Sequence, residues 1–321
     1  MKPQKVLRDS CLGYNLGVSK SSYTERDCIL YALGVGCSQN PLDERDLCYT
    51  YENHSDGFRV LPTFATTFPS FNVIFDGLQE CPGLPEFNPM MLLHGQHKLR
   101  LFRPLRETAE TMRHTAILRD VLDKKSGALV TIDVDSIAED GLLICRNEFT
   151  LFIRGLGNFS RVSNAGEASV TKAGSDIGRR RTVSLADRLT CDVLTPENLA
   201  LIYRLSGDRN PLHVDKQMAA LGGFKRPILH GLCSFGIATK AIVQTLLGNE
   251  PTKVCSISGR FTAPVTPGDE LRVQMWSRAI ETNQPDNEKE IYFDIVNRRT
   301  ADTVLDHGIL TYKDDTVYAR M

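Results

Sequence analysis

Apolar side chains recur at helical spacing at Leu199, Ile202, Tyr203 and Leu205, and the residues before them suit a helix start. Thr195 offers a hydroxyl cap, Pro196 fits the first turn, and Glu197 complements the positive end of the dipole. Gly207 stands where such a helix would stop. A second stretch has the same order: Thr24-Glu25-Arg26-Asp27 opens it, Cys28, Ile29, Tyr31 and Ala32 follow, and Gly34 closes it. A third runs from Leu232 to Leu247, is interrupted mainly by Lys240 and Gln244, and ends at Gly248. A helix apolar on nearly every side belongs in a core. Strand-like stretches occupy residues 127–133, 144–153, 271–275 and 291–296. Residues 156–184, rich in Gly, Ser, Asn, Lys and Arg, show neither period and are expected to form a linker or long loop. They divide the chain into units at 1–155 and 185–321.

The two units resemble each other. Asp208-Arg209-Asn210-Pro211-Leu212-His213 follows one helix, and Ser38-Gln39-Asn40-Pro41-Leu42-Asp43 follows the other. Asn-Pro-Leu is shared, Asp208 is matched by Ser38, and His213 by Asp43. Leu92-Leu93-His94-Gly95 is set beside Ile228-Leu229-His230-Gly231, and Leu101-Phe102-Arg103-Pro104 beside Arg260-Phe261-Thr262-Ala263-Pro264. Three matched segments in one order point to a duplicated domain. After His230-Gly231 comes the long apolar helix, whereas after His94-Gly95 the chain enters a strand, so the first copy is expected to have lost most of that helix.

The 321 residues, 41% hydrophobic and 24% charged, have room for two ordinary globular cores. A net charge of −1 supplies no general field for nucleic acid or a membrane surface, and neither is expected as a partner. Nine scattered cysteines without a C-x-x-C point away from a disulfide framework or zinc ribbon and toward a reducing compartment. No apolar run reaches the roughly 18 residues of a membrane helix, and Met1-Lys2-Pro3-Gln4-Lys5 leads into no signal-peptide core. The end is different in kind. Ala319-Arg320-Met321 is a small-basic-aliphatic tripeptide of the S-K-L type, which predicts peroxisomal import by a receptor reading the C-terminus.

The chemistry concentrates in the Asp208–His213 segment, where an acid, an amide and an imidazole share a turn after a helix. Pro211 biases Asn210 away from helical dihedrals, so the polar side chains can converge. The bland alternative is a helix end followed by an Asx-turn. The segment resembles the signature of the MaoC-like R-specific enoyl-CoA hydratases, the type-two hydratases of peroxisomes. Leu229-His230-Gly231-Leu232-Cys233 and Arg260-Phe261-Thr262-Ala263-Pro264-Val265 are similar to that family's next two blocks. Tyr31-Ala32-Leu33-Gly34-Val35-Gly36, Leu93-His94-Gly95 and Val121-Leu122-Asp123-Lys124 resemble the N-terminal part of its eukaryotic members.

The resemblance implies an α+β double hot-dog fold, in which two curled antiparallel sheets join edge to edge. It implies hydration of a trans-2-enoyl-CoA to the (3R)-3-hydroxyacyl-CoA, in β-oxidation. Asp208 and His213 would be the acid–base pair around the water, Asn210 would orient the water or Asp208, and Gly231 would offer its N–H to the thioester oxygen. His94, Gly95, Lys124, Arg209, Pro211, Leu212 and Phe261 would line the substrate and its CoA, with Lys124 against a phosphate and Phe261 equally able to be simple core. CoA enters as part of the substrate, so no separate cofactor is expected. His94-x-x-His97 lacks a third ligand nearby, and no metal is expected. No G-x-G-x-x-G follows a strand, so a separate (3R)-hydroxyacyl-CoA dehydrogenase is expected to take the product. Assembly as a homodimer is expected too. The rivals are a hot-dog acyl-CoA thioesterase, distinguished by release of free CoA, and a non-catalytic acyl-CoA-binding protein, distinguished by binding without turnover. A missing first-half helix would leave a groove for long acyl chains unless Phe64, Phe68, Phe71, Ile74, Phe75 and Leu78 fill it. With a groove, kcat/KM would rise from four-carbon to at least ten-carbon substrates.

Overall fold

A computed structural model describes residues 2–160, 188–277 and 288–314. Its strands are β1 (Asn15–Tyr23), β2 (Leu92–Leu101), β3 (Glu110–Asp123), β4 (Gly127–Ala138), β5 (Leu143–Arg154), β6 (Leu189–Leu194), β7 (Val254–Phe261), β8 (Glu270–Ser277), β9 (Lys289–Asn297) and β10 (Thr303–Tyr312). Its helices are α1 (Arg8–Cys11), α2 (Glu25–Gly34), α3 (Glu44–Thr50), α4 (Phe71–Glu80), α5 (Leu199–Tyr203), α6 (Lys216–Leu221) and α7 (Gly231–Leu246). The strands form one antiparallel sheet in the order β1-β3-β4-β5-β2-β7-β10-β9-β8-β6. That order is a mirror: reading outward from the β2–β7 seam, each strand of one half meets the same place in the other. The edge-to-edge double hot dog is therefore what the sheet builds, and the seam runs from Gln96 opposite Arg260 to Arg100 opposite Ser256.

The strands alternate between buried and half-exposed positions, as in β4 with Ala128, Val130, Ile132 and Val134 turned to the core. The core face of the C-terminal half wraps α7, buried from Leu232 to Val243 as its composition dictates. Its polar interruptions find partners in the other half. The Lys240 ammonium donates to the Gly36 carbonyl at 2.7 Å and lies 3.4 Å from the Asp46 carboxylate, and the Gln244 amide donates to Asp46 at 2.7 Å. A buried cation is tolerable only with such partners, so α7 also ties the halves together.

The two Asn-Pro-Leu turns repeat at the level of single bonds. The Asn40 side chain accepts from the Leu42 N–H at 3.1 Å, and Asn210 accepts from Leu212 at 3.0 Å. Helix α2 starts as expected, with the Asp27 carboxylate taking the backbone N–H of Thr24 at 2.8 Å.

Three expectations are corrected. Thr195 does not cap a helix: its hydroxyl donates to the Asp269 carbonyl at 2.7 Å, and α5 begins at Leu199. His94-Gly95 is not the counterpart of His230-Gly231. It lies inside β2, where the ladder shifts register between His94 and Gln96, whereas His230-Gly231 opens α7. The structural counterpart of β2 is β7, which keeps the third sequence match. The first half has also kept a helix in place of the missing one: α4 stands before His94, capped by the Ser70 hydroxyl. Ile74 and Leu78 pack it against Leu118, Val130 and Leu151 of the sheet, and the Gly77 Cα closes onto the Leu16 backbone. Phe64 and Phe68 are buried as well. The premise of an empty hollow therefore falls, and the chain-length trend loses that support. Residues 161–187 and 315–321, which hold most of the expected linker and the C-terminal tripeptide, lie outside the described residues. Among the described residues no helix is long and apolar enough to cross a membrane.

Candidate active site

The turn after α5 is bent by its own side chains. Gly207 takes φ of 143°, a backbone open to glycine alone among common residues. One oxygen of Asp208 then accepts from the Asn210 N–H at 3.1 Å, and Asn210 in turn caps Leu212. The bland Asx-turn and the functional constellation are one structure. The Asn210 side-chain oxygen is occupied by the turn, so it reaches Asp208 through its backbone N–H. The second oxygen of Asp208 is left facing His213 Nε2 at 3.9 Å. That separation is too long for a hydrogen bond and suits a water between the two groups.

His213 is buried in a single-turn helix (Pro211–His213) and held from behind. Its Nδ1 lies 2.8 Å from the Ile228 carbonyl. A carbonyl can only accept, so Nδ1 carries the proton and Nε2 presents a lone pair toward Asp208. Burial pushes the His213 pKa below its ordinary value, and the Asp208 charge only partly offsets this. The imidazole is therefore a neutral base near pH 7.

His230 completes the arrangement. Its Nε2 donates to the Asp208 carbonyl at 3.1 Å, and its ring stacks on His213 with centroids 3.6 Å apart and planes inclined by 25°. Tyr203 lies over it at 4.9 Å. Burial holds the His230 pKa down to about 2, so it stays neutral. Donor atoms of Asp208, His213 and His230 lie within 4.8 Å of one another. A metal needs both imidazole lone pairs aimed at it in their ring planes, about 2.1 Å away. Planes stacked face to face at 25° meet far beyond that distance, so the two lone pairs do not converge on one ion.

Beside the pair, α7 begins at Gly231, and its first N–H groups have no partner within the helix. A Cβ on Gly231 would stand 3.2 Å from the Phe261 ring, so glycine is what lets a planar group approach this helix end. Phe261 is half-buried and packs on His94 at 5.1 Å. The His94 Nε2 is buried without a hydrogen-bond partner, and its pKa is lowered to about 4 by desolvation, against the pull of Asp208. His94 thus comes from the other half of the chain to within electrostatic reach of the acid.

The remaining candidates surround this centre. Gly95 lies on β2 beside His94, and Leu212 is half-buried against Gly222. Arg209 and Pro211 are exposed on the turn, and Lys124 is exposed at the β3–β4 turn, away from the pair. In the first copy the matching positions are structural. Asp43 caps α3 and pairs with Arg45 at 2.7 Å, and Ser38 bonds through its backbone to Asp46. Sequence reasoning missed the backing of His94: His97 donates through Nε2 to Asn147 at 3.0 Å, and Asn147 donates to the Ala65 carbonyl at 3.0 Å. It also missed the Ile228 carbonyl, which no side-chain pattern announces.

Residues 21–155 match the family model described as the MFE-2 hydratase 2 N-terminal domain, and residues 170–295 match the MaoC like domain. The chain is 40% identical to the peroxisomal enoyl-CoA hydratase 2 of Arabidopsis thaliana, covering 84% of this chain and 86% of that protein. It is 38% identical to the peroxisomal multifunctional enzyme type 2 of Mus musculus, over 92% of this chain but 37% of that enzyme. It is also 38% identical to the peroxisomal hydratase-dehydrogenase-epimerase of Neurospora crassa, over 79% of this chain and 27% of that enzyme. Among solved structures, a MaoC-like dehydratase from Phytophthora capsici superposes with a TM-score of 0.75 at 27% identity, over 97% of this chain and 99% of that one. A Mycobacterium tuberculosis protein with a double hotdog fold superposes at 0.58 with 14% identity, over 94% and 96%, a likeness of fold alone.

Proposed function

This chain belongs to the MaoC-like hydratase 2 family, and from that premise we propose that it hydrates trans-2-enoyl-CoA to (3R)-3-hydroxyacyl-CoA in peroxisomal β-oxidation. The observation that carries the reading is the gap of 3.9 Å between Asp208 and a His213 whose tautomer is fixed, next to the open end of α7. A water between the two gives its proton to the pair as its oxygen adds to the β-carbon. The thioester oxygen gains enolate charge and is met by the Gly231 N–H and the positive helix end. The pair then returns a proton to the α-carbon, acting as one acid–base unit. Atoms balance: one water is added and nothing leaves. His94 and Phe261 wall the acyl thioester, while Arg209, Pro211 and Leu212 form the lip and Lys124 serves the CoA. The chemistry draws on no metal or cofactor beyond the CoA of the substrate.

Import through Ala319-Arg320-Met321 and a homodimeric assembly belong to the same reading. A (3R)-hydroxyacyl-CoA dehydrogenase, on this or another polypeptide, would consume the product. The test is loss of the enoyl-thioester absorbance of crotonyl-CoA, with free thiol followed in parallel. Wild type should hydrate without releasing CoA, and Asp208→Ala and His213→Ala should each lose about 10²- to 10⁴-fold in turnover. Stoichiometric CoA release would make the chain a thioesterase, and binding without turnover would make it a carrier.

A further inference from the structure

Two thiols remote from the reacting pair meet at the C-terminal end of α4. Cys11 is the last residue of α1, and Cys81 follows the last turn of α4, donating its N–H to the Gly77 carbonyl at 2.9 Å. Both are free thiols, and both are fully covered. Gly83 lets them approach. A Cβ there would stand 2.4 Å from the Cys11 sulfur and 2.9 Å from the Cys11 nitrogen, so a side chain at this position would push α1 away. The Leu7 N–H donates to the Gly83 carbonyl at 2.8 Å, and the Lys2 ammonium donates to the Cys81 carbonyl at 2.6 Å. The N-terminal segment is therefore fastened across the end of α4, directly over both sulfurs.

The pair is polarised. The Cys11 thiol donates to the Cys81 sulfur, which also accepts from the backbone N–H groups of Gly83 and Leu84 and faces the Lys2 charge. That bond from Cys11, with the N–H groups and the Lys2 charge, pushes the Cys81 thiol down against its burial. The same bond, and burial, push Cys11 up. Each of the other cysteines is held up by burial. One sulfur poised to attack, with a protonated thiol in contact with it, is the arrangement of a nucleophile and its resolving partner.

The cover over the pair is thin. Helix α1 is four residues long and has no side-chain cap, and Leu7 and Leu12 on either side of it are exposed. Its outer tie is the surface ion pair of Arg8 with Asp120 at 2.8 Å. A terminal segment held this lightly opens more readily than the core, and a water-sized oxidant needs no more than such an opening.

We propose that Cys11 and Cys81 form an oxidation site, a dithiol that hydrogen peroxide converts to an intramolecular disulfide. The Cys81 thiolate attacks one peroxide oxygen: an S–O bond forms, the O–O bond breaks, and the departing hydroxide takes up a proton as water. The Cys11 sulfur, giving up its proton, then attacks the Cys81 sulfur. The S–S bond forms, the S–O bond breaks, and hydroxide with that proton leaves as a second water. Two thiols are oxidised and one peroxide is reduced. A small dithiol reverses the bond by exchange. The disulfide closes a loop that holds β1, α2, α3 and α4, and it fixes the far end of the helix whose first residue, Phe71, packs on His94 at 6.3 Å and on Phe149 at 5.4 Å.

The experiment treats the reduced full-length chain with millimolar hydrogen peroxide, blocks the remaining thiols with N-ethylmaleimide in denaturant, and maps peptides without reduction by mass spectrometry. A peptide joining Cys11 to Cys81 is expected, with two fewer of the nine thiols alkylated and all nine recovered after dithiothreitol. The oxidised chain should unfold about 5 °C or more above the reduced one, because the bond restricts the unfolded chain. In Cys11→Ser, peroxide should leave Cys81 as a sulfenic acid that dimedone labels, and the thermal shift should vanish. In Cys81→Ser, Cys11 should stay alkylatable. Full alkylation of both residues in peroxide-treated wild type overturns the proposal, as does a crosslink from either to a different cysteine. The wild-type peptide map decides this even where a serine variant fails to fold.

Discussion

The imidazole of His230 lies flat on that of His213, 3.6 Å away, while its Nε2 holds the carbonyl of Asp208. One neutral side chain therefore sets both members of the reacting pair: the plane of the imidazole by stacking, and the backbone of the acid by a hydrogen bond. This explains why a histidine that faces no open space precedes the glycine at the helix end.

His230→Ala should leave the fold intact yet lower kcat for crotonyl-CoA by about 10- to 100-fold, since sub-ångström misplacement of a catalytic pair is costly. KM should move little. Steady-state kinetics beside a circular-dichroism spectrum checks it, and wild-type kcat in a folded variant would make the stack ornamental.

The two copies should respond differently to equivalent substitutions. Asp43→Ala removes the cap of α3 and its bond to the Arg45 N–H, and should cost about 1 kcal/mol of stability with kcat unchanged. Asp208→Ala should cost turnover instead. Denaturant unfolding and kinetics on the same two samples separate these outcomes, and a large fall in kcat for Asp43→Ala would reveal a second working site.

Acid should destabilise the fold through histidines buried as neutral rings. His114 sits between the hydroxyls of Ser21 at 2.7 Å and Ser136 at 2.9 Å, and burial lowers its pKa to about 4. Unfolding restores an ordinary value near 6.5, so between about pH 6.5 and 4 the unfolded chain binds the extra proton. The contribution is complete above 6.5 and is lost as pH falls, at up to about 1.4 kcal/mol per pH unit. His114→Gln should flatten the decline of Tm between pH 6.5 and 4.5; an unchanged slope would mean this ring does not report there.

On the proposed import through Ala319-Arg320-Met321, removal of the tripeptide should turn a fluorescently tagged chain from punctate to cytosolic. Persistence in peroxisomes would assign import to another signal.

How far the sequence carried depended on the range of each interaction. The Asn40 and Asn210 turns are local, bonded two residues on, and both were readable from Asn-Pro-Leu. Helix α7 was readable because nearly every position is apolar. Thr195 misled because its hydroxyl serves Asp269, a partner 74 residues away. The helix α4 was in view but read as filler: Phe71, Ile74, Phe75 and Leu78 are spaced as a helical stripe, with Ser70 placed to cap it. His94-Gly95 matched His230-Gly231 in letters alone, because a bulged strand and a helix start can share a short string. The Ile228 carbonyl is a main-chain feature that only the folded structure brings to His213.

The central claim is that Asp208, His213 and the Gly231 helix end deliver water to one face of an enoyl thioester. The most direct measurement is the configuration of the product formed from crotonyl-CoA and from a long trans-2-enoyl-CoA, by chiral separation. The account predicts the (3R)-3-hydroxyacyl-CoA from both, absent in Asp208→Ala and His213→Ala. A (3S) product, or an (R) product that survives both substitutions, would contradict it.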